Sequence, residues 1–297
     1  MSWSINTALR NRNLGALVAV LLGALCYSSG QDVALRAPAT ATAGNPIAIG
    51  TSGSGSATFY LIGPSVSLKR DDIQLGQDIS LSDKEIQSSG RYLAIVCTNS
   101  CSNAAFFVAP AKPSTLTFLA HPSRVPVERG DAISAVAMPF DEFHNLVLTS
   151  TTVDFQLAAK GSAPVSHKVQ TDGGVAWFRT NSGKAAGVLQ MTASLDGVSA
   201  RRVVQQVASD PCNLRIKGAR NPKGISVETE PVRDCAGNPV PDGTIVTFTA
   251  RNGNQISTVD APVKQDIARA QISTSGPVVV SAASGVVMGN ELRIGGQ

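Results

Sequence analysis

Apolar and polar residues alternate with a period of two along most of this chain. In "GTIVTFTA", Val246, Phe248 and Ala250 point one way while Thr247 and Thr249 point the other. That spacing, with β-branched and aromatic residues, predicts a half-buried strand. The preceding "DCAGNPVPD" is turn chemistry. Asp234 can accept hydrogen bonds from backbone two residues on, Gly237 can take positive φ, and Pro239 and Pro241 fix an extended approach. Further strands are predicted in "NPIAIGTSGSGSATFYLIG", read as strand, hairpin turn, strand. "GRYLAIVCTNSCSNAAFFVAP" reads as two strands joined by a small loop from Cys97 to Cys101.

The Asp234–Ala250 stretch occurs twice. "DEFHNLVLTSTTVDFQL", 93 positions earlier, places Asp141 against Asp234, Asn145 against Asn238, Val153 against Val246 and Phe155 against Phe248. His144 falls where Gly237 stands, and histidine is among the few non-glycine residues enriched at positive φ. Around this pair, "STLTF" parallels "CNLRI", "DAISAVAM" parallels "KGISVETE", and "LQMTAS" parallels "VVVSAA". "TDGGVAWFRTNS" parallels "KQDIARAQISTS", and with an offset of 94 Phe178 is read against Ile272 and Trp177 against Gln271. Phe178 is then the core residue, and Trp177 faces outward or into a domain junction. A period near 90 to 98 residues, filled by short strands and turns, is the size of a β-sandwich module.

"DCAGNPVPDGTIVTFTA" and "TDGGVAWFRT" resemble the bacterial immunoglobulin-like repeats of the invasin and intimin family, over roughly residues 111–297. The first repeat lacks the glycine and both prolines, and "DIARA" stands where that family has a glycine-bearing turn. Residues 31–110 read as a third, more divergent sandwich. Its Tyr92 and Cys97 are five apart, where a tyrosine corner has the cysteine two residues on. The expected fold is all-β: three tandem immunoglobulin-like sandwiches over 31–110, 111–208 and 209–297. "APAKPS" and "VASDPC" are the linkers.

Composition adds the compartment. Arg10 and Arg12 precede "LGALVAVLLGALCYSSG", a short apolar run followed by small residues, which is the plan of a secretory signal peptide over 1–30. Ser28 and Gly30 place cleavage after Gly30. An uncleaved anchor and lipidation of Cys26 are the rivals, the latter opposed by Leu25 where a small residue is needed. Of 25 basic residues two lie in the leader, leaving 23 against 21 acidic ones. With no basic cluster interleaved with aromatics, nucleic acid is not an expected partner. Removing the leader leaves Cys97, Cys101, Cys212 and Cys235, which allow three pairings. Spacing favours Cys97–Cys101 and Cys212–Cys235, each inside one domain. A four-cysteine zinc site needs paired C-x-x-C spacing, and "CTNSC" has three intervening residues.

Catalytic constellations do not emerge. His121, His144 and His167 lack metal-binding spacing, and "GTSGSGS" does not satisfy G-x-S-x-G. Asp71 and Asp72 are weighed as calcium ligands, but they lack EF-hand spacing and have Lys69 and Arg70 beside them. Asp141, His144, Asn145, Asp234, Gly237 and Asn238 are expected as structural turn residues, and Trp177 as a candidate binding surface. No cofactor and no metal is expected. By analogy with the resembled family, the expected role is non-catalytic adhesion or structural interaction at the bacterial cell surface. The alternative is a soluble periplasmic or secreted binding module. The partner is a protein or polysaccharide of the cell envelope, and a membrane is met only through an uncleaved leader.

Overall fold

The computed structural model describes residues 33–159 and 161–295, so the signal-peptide reading lies outside the described residues. The protein is all-β, with one short 3-10 turn at Asp83–Glu85 and no α-helix among the described residues. It divides into two compact units. The first runs to Val108, apart from residues 87–89; the second takes in 87–89 and everything from Ala109 on.

The first unit is one sandwich. Strands Leu35–Arg36, Ile47–Thr51 and Ile79–Leu81 form a three-stranded sheet. Strands Thr40–Thr42, Cys101–Ala109, Gly90–Cys97, Ser56–Ile62 and Ser67–Gln74 lie side by side in a five-stranded one. Ile49, Phe59, Leu61, Leu81 and Tyr92 are fully buried, and the Tyr92 ring stacks on Phe106 at 5.3 Å. The expected hairpin turn at Gly50–Ser56 is corrected here. The strands that flank it belong to different sheets, so the segment is a crossover. Gly53 and Gly55, at φ of 113° and 94°, supply the backbone freedom that this change of sheet requires.

The second unit holds two sandwiches, each around its own core. In the earlier one, strands Ala176–Thr180, Ile133–Phe140 and Thr115–His121 form one sheet. Facing it are Arg124–Pro126, Val198–Val207, Gly187–Leu195, Thr152–Ala159 and Val165–Gln170. Arg124–Pro126 runs parallel to Val198–Val207, and every other pairing is antiparallel. Strict alternation along Ile133–Phe140 sends Ile133, Ala135 and Ala137 into the core beside Phe118, Phe155 and Met191.

In the later sandwich the strand order is Ile216–Asn221, Gly224–Thr229, Ile267–Ile272, Gln255–Lys264, Ile245–Asn252, Val278–Ser284 and Val287–Met288. Leu292–Ile294 also pairs with Val278–Ser284. The long strand Gln255–Lys264 belongs to both layers, pairing with Ile245–Asn252 through Pro262 and with Ile267–Ile272 from Val263. Val246, Phe248, Ile225 and Val263 are fully buried in this core.

The register corrects one detail of the repeat. Ile133 pairs with Thr180 and its counterpart Ile225 with Ile272, so Phe178 corresponds to Ala270 and Trp177 to Arg269. The expected match of Phe178 with Ile272 is two residues out. Because side chains alternate with a period of two, such a slip leaves each residue on its expected face. Phe178 packs against the core, and Trp177 is exposed.

Candidate functional site

The repeated Asp-x-x-x-Asn segment folds twice into the same turn. In the third sandwich the Asp234 carboxylate accepts from the backbone N–H of Ala236 at 3.0 Å, Asn238 at 2.8 Å and Ser209 at 3.0 Å. It also accepts from Asn238 Nδ2 at 2.9 Å. Backbone bonds from Gly237 N to Asp234 O and from Asp234 N to Asn238 O close the turn, at 3.0 and 2.9 Å. In the second sandwich Asp141 accepts from Phe143 N, Asn145 N, Ala111 N and Asn145 Nδ2 at 2.8–2.9 Å. The same two backbone bonds recur there, His144 N to Asp141 O and Asp141 N to Asn145 O. Gly237 and His144 both sit at positive φ, 86° and 64°. Asp234 and Asp141 are 4% and 1% exposed, so each carboxylate is buried and fully engaged.

The asparagine side chain reaches beyond the turn. Asn238 Oδ1 accepts from Ala186 N at 2.8 Å, and its Nδ2 donates to Lys184 O at 2.8 Å. Both partners lie on the loop between strands Ala176–Thr180 and Gly187–Leu195, so the third sandwich grips the second. Asn145 does likewise with residues 87–89 of its own unit. Its Oδ1 accepts from Ser89 N and its Nδ2 donates to Gln87 O, both at 2.7 Å. Ser209 adds a second tie at the later junction, donating Oγ to Val127 O at 2.8 Å. The sequence showed the turn but not what the asparagines hold, because the gripped residues are 52 to 58 positions away.

Two disulfides are present. Cys97–Cys101 closes the end of a hairpin whose strands pair Cys97 with Cys101. Cys212–Cys235 joins the linker strand Pro211–Cys212 to the turn that carries Asp234, over a separation of 23 residues. Replacing Cys212 and Cys235 by serine is expected to lower stability by about 3 kcal/mol, against about 2 kcal/mol for the Cys97–Cys101 pair. Denaturant unfolding of the two double variants measures the difference.

Trp177 stands at an outward position of an edge strand, 61% exposed. Register places it in one cross-strand row with Val136 and Leu119, the last 51% exposed. The next row holds Arg179, Ser134 and His121. An apolar bar about 10 Å long, two strand spacings across, thus lies beside a polar row that carries an arginine. Trp and Arg in such a setting are the residue types that dominate binding energy at interfaces.

The fold has relatives among solved structures. The Escherichia coli adhesin FdeC matches with a TM-score of 0.61 at 13% identity, over 89% of this chain and 96% of that one. Invasin, a bacterial integrin-binding protein, gives 0.52 at 12% identity over 89% of this chain and 59% of that one. Yersinia pseudotuberculosis InvD gives 0.50 at 11% identity over 88% and 96%. The fold is that of tandem Ig-like β-sandwiches. No protein-family profile matches the chain, and no curated protein matches it in sequence.

Within this Ig-like framework the other titratable candidates have local partners or stand apart. Asp71 accepts from Lys69 Nζ at 2.8 Å and from Thr58 Oγ1 at 3.1 Å. The hydrogen bond from Lys69 holds its carboxyl below the usual range. Asp72 accepts from Ser56 Oγ at 3.2 Å. His167 stacks on Phe178 at 4.9 Å, His144 occupies its turn, and His121 lies on the row beside Trp177. Among the described residues no three His, Cys, Asp or Glu side chains come together as a metal site.

Proposed function

We propose that the chain is an exported, non-catalytic adhesion protein of the bacterial cell surface. Its Ig-like sandwiches act as spacers that hold a binding face away from the envelope. The observation that carries this reading is the repeated Asp–Asn turn. It gives the second and third sandwiches a tie of direct hydrogen bonds in place of a loose linker, made by a turn whose own aspartate is held by charge-assisted bonds, and such a tie resists bending. Fold similarity to FdeC, invasin and InvD supports the same reading, as do two disulfides suited to an oxidising compartment.

The face in contact with a protein or polysaccharide partner is the Trp177–Val136–Leu119 row. Trp177→Ala removes no core contact, so it is expected to change stability by less than about 0.5 kcal/mol while lowering attachment of cells at least several-fold. A thermal melt and an adhesion count on the same variant check both halves. Protease treatment of intact cells, followed with an antibody to the third sandwich, tests the location. Digestion from outside supports surface adhesion. Protection until the outer membrane is opened would replace it with a periplasmic binding module.

A further inference from the structure

One cross-strand row of the third sandwich is built unlike its neighbours. Ile256 pairs with Arg251, Arg251 with Val279, and Val279 with Arg293. Four adjacent strands thereby place an apolar, a cationic, an apolar and a cationic residue on one face, over roughly 14 Å at the usual strand spacing. Ile256 is 63% exposed and both arginines are exposed. Arg251 and Arg293 line a groove with Gly253, Pro277, Val279 and Ile294.

Neither arginine has an ion pair or a side-chain hydrogen bond among the described residues. Four other cations of this sandwich are engaged, while Arg215, Lys223 and Lys264 are exposed singly on other parts of the chain. Lys217 and Arg269 pair with Glu228, Arg233 pairs with Asp266, and Arg220 donates to the carbonyls of Thr274 and Gly276. Two carboxylates lie near the row without pairing to either arginine: Glu291, two residues before Arg293, and Asp260, two rows away on the same sheet, which accepts from Thr247 Oγ1 at 2.6 Å. Two unneutralised cations sharing a groove form an electrostatic receptor for negative charge. Because one strand separates them, their backbones are about 10 Å apart, a spacing suited to successive charges of a chain.

We infer that the Ile256–Arg251–Val279–Arg293 row is a binding track for an acidic polysaccharide. Carboxylates or sulfates meet the two guanidiniums, which bind them bidentately. The C–H faces of intervening sugar rings lie on Ile256 and Val279. The alternation favours a chain whose apolar rings and charges alternate over a uniform polyanion. The track is independent of the Trp177 face, which belongs to another sandwich.

The test is binding of the mature full chain to polygalacturonate, with dextran as the neutral chain and inorganic polyphosphate as the ringless polyanion. Polygalacturonate is expected to bind with steep salt dependence, and dextran is not expected to bind. Arg251→Gln with Arg293→Gln is expected to weaken polygalacturonate about tenfold or more and to reduce the slope of log affinity against log salt by roughly one to two. Ile256→Ser is expected to weaken polygalacturonate several-fold and to leave polyphosphate unchanged. All three positions are exposed, so unchanged melting verifies that the variants fold. Equal binding of dextran, an unaffected double arginine variant, or polyphosphate binding more tightly than polygalacturonate would each overturn the track. Trp177→Ala is expected to keep polygalacturonate binding, so loss of cell attachment and loss of this track are read separately.

Discussion

Asp234→Ala is expected to destabilise the third sandwich by about 3–4 kcal/mol, the largest effect of any polar substitution in it. The variant leaves the N–H groups of Ser209, Ala236 and Asn238 without their acceptor in a place where water enters poorly. Each buried donor so stranded costs about 1–3 kcal/mol, reduced where the turn can relax toward solvent. Urea unfolding measures the change, and Asp141→Ala is expected to do the same to the second sandwich. Asp234→Asn keeps the shape but aims an amide at donors it cannot satisfy, and is expected to fall between wild type and alanine.

Acid should act through the same group. Burial opposes ionisation of Asp234 most strongly. Hydrogen bonds from the Asn238 side chain and from the backbone of Asn238, Ser209 and Ala236 together outweigh it, so the carboxyl titrates below its ordinary value. A folded pKa below the unfolded one, near 3.9, gives stabilisation that is complete above that value and is lost as pH falls through the folded pKa. Wild type is therefore expected to lose stability below about pH 4. Asp234→Ala is expected to show a shallower acid limb over the same range.

Phe248→Ala is expected to cost about 3–5 kcal/mol, through lost transfer energy and the cavity left among Val246, Ile225 and Val263. Phe155→Ala is expected to cost a similar amount in the second sandwich, where that ring lies 5.7 Å from Phe118 and 4.9 Å from Phe178. The two cores share no residue, so each loss falls on its own sandwich. At roughly 4–8 °C per kcal/mol for domains of this size, either variant should lower one calorimetric transition by well over 10 °C. An equal fall in both transitions would mean that the junction couples the two sandwiches far more strongly than its hydrogen bonds imply.

What the sequence revealed follows from which constraints are local. The turn at Asp234–Asn238 was legible because an aspartate, a residue tolerant of positive φ and an asparagine act within five positions. The strand carrying Val246, Phe248 and Ala250 was legible because a half-buried sheet imposes a period of two. That same period hides register, which is why Phe178 was matched two residues away from its partner yet placed on its true face. The crossover at Gly50–Ser56 was read as a hairpin because glycine-rich segments serve both purposes, and only the sheet membership of the flanking strands distinguishes them. The grip of Asn238 on Lys184 and Ala186, and the row from Ile256 to Arg293, depend on pairings between distant parts of the chain. No local signal marks them.

Amide hydrogen exchange across the junction tests most directly whether the Asp–Asn turn ties the second and third sandwiches into one body. In the full chain, the amides of Ala186, Ser209 and Asn238 are expected to be protected together. Asn238→Ala is expected to release Ala186 while the Ile245–Asn252 strand stays protected. Fast, loop-like exchange of Ala186 and Ser209 in the wild-type protein would contradict the tie, and with it the spacer role built on it.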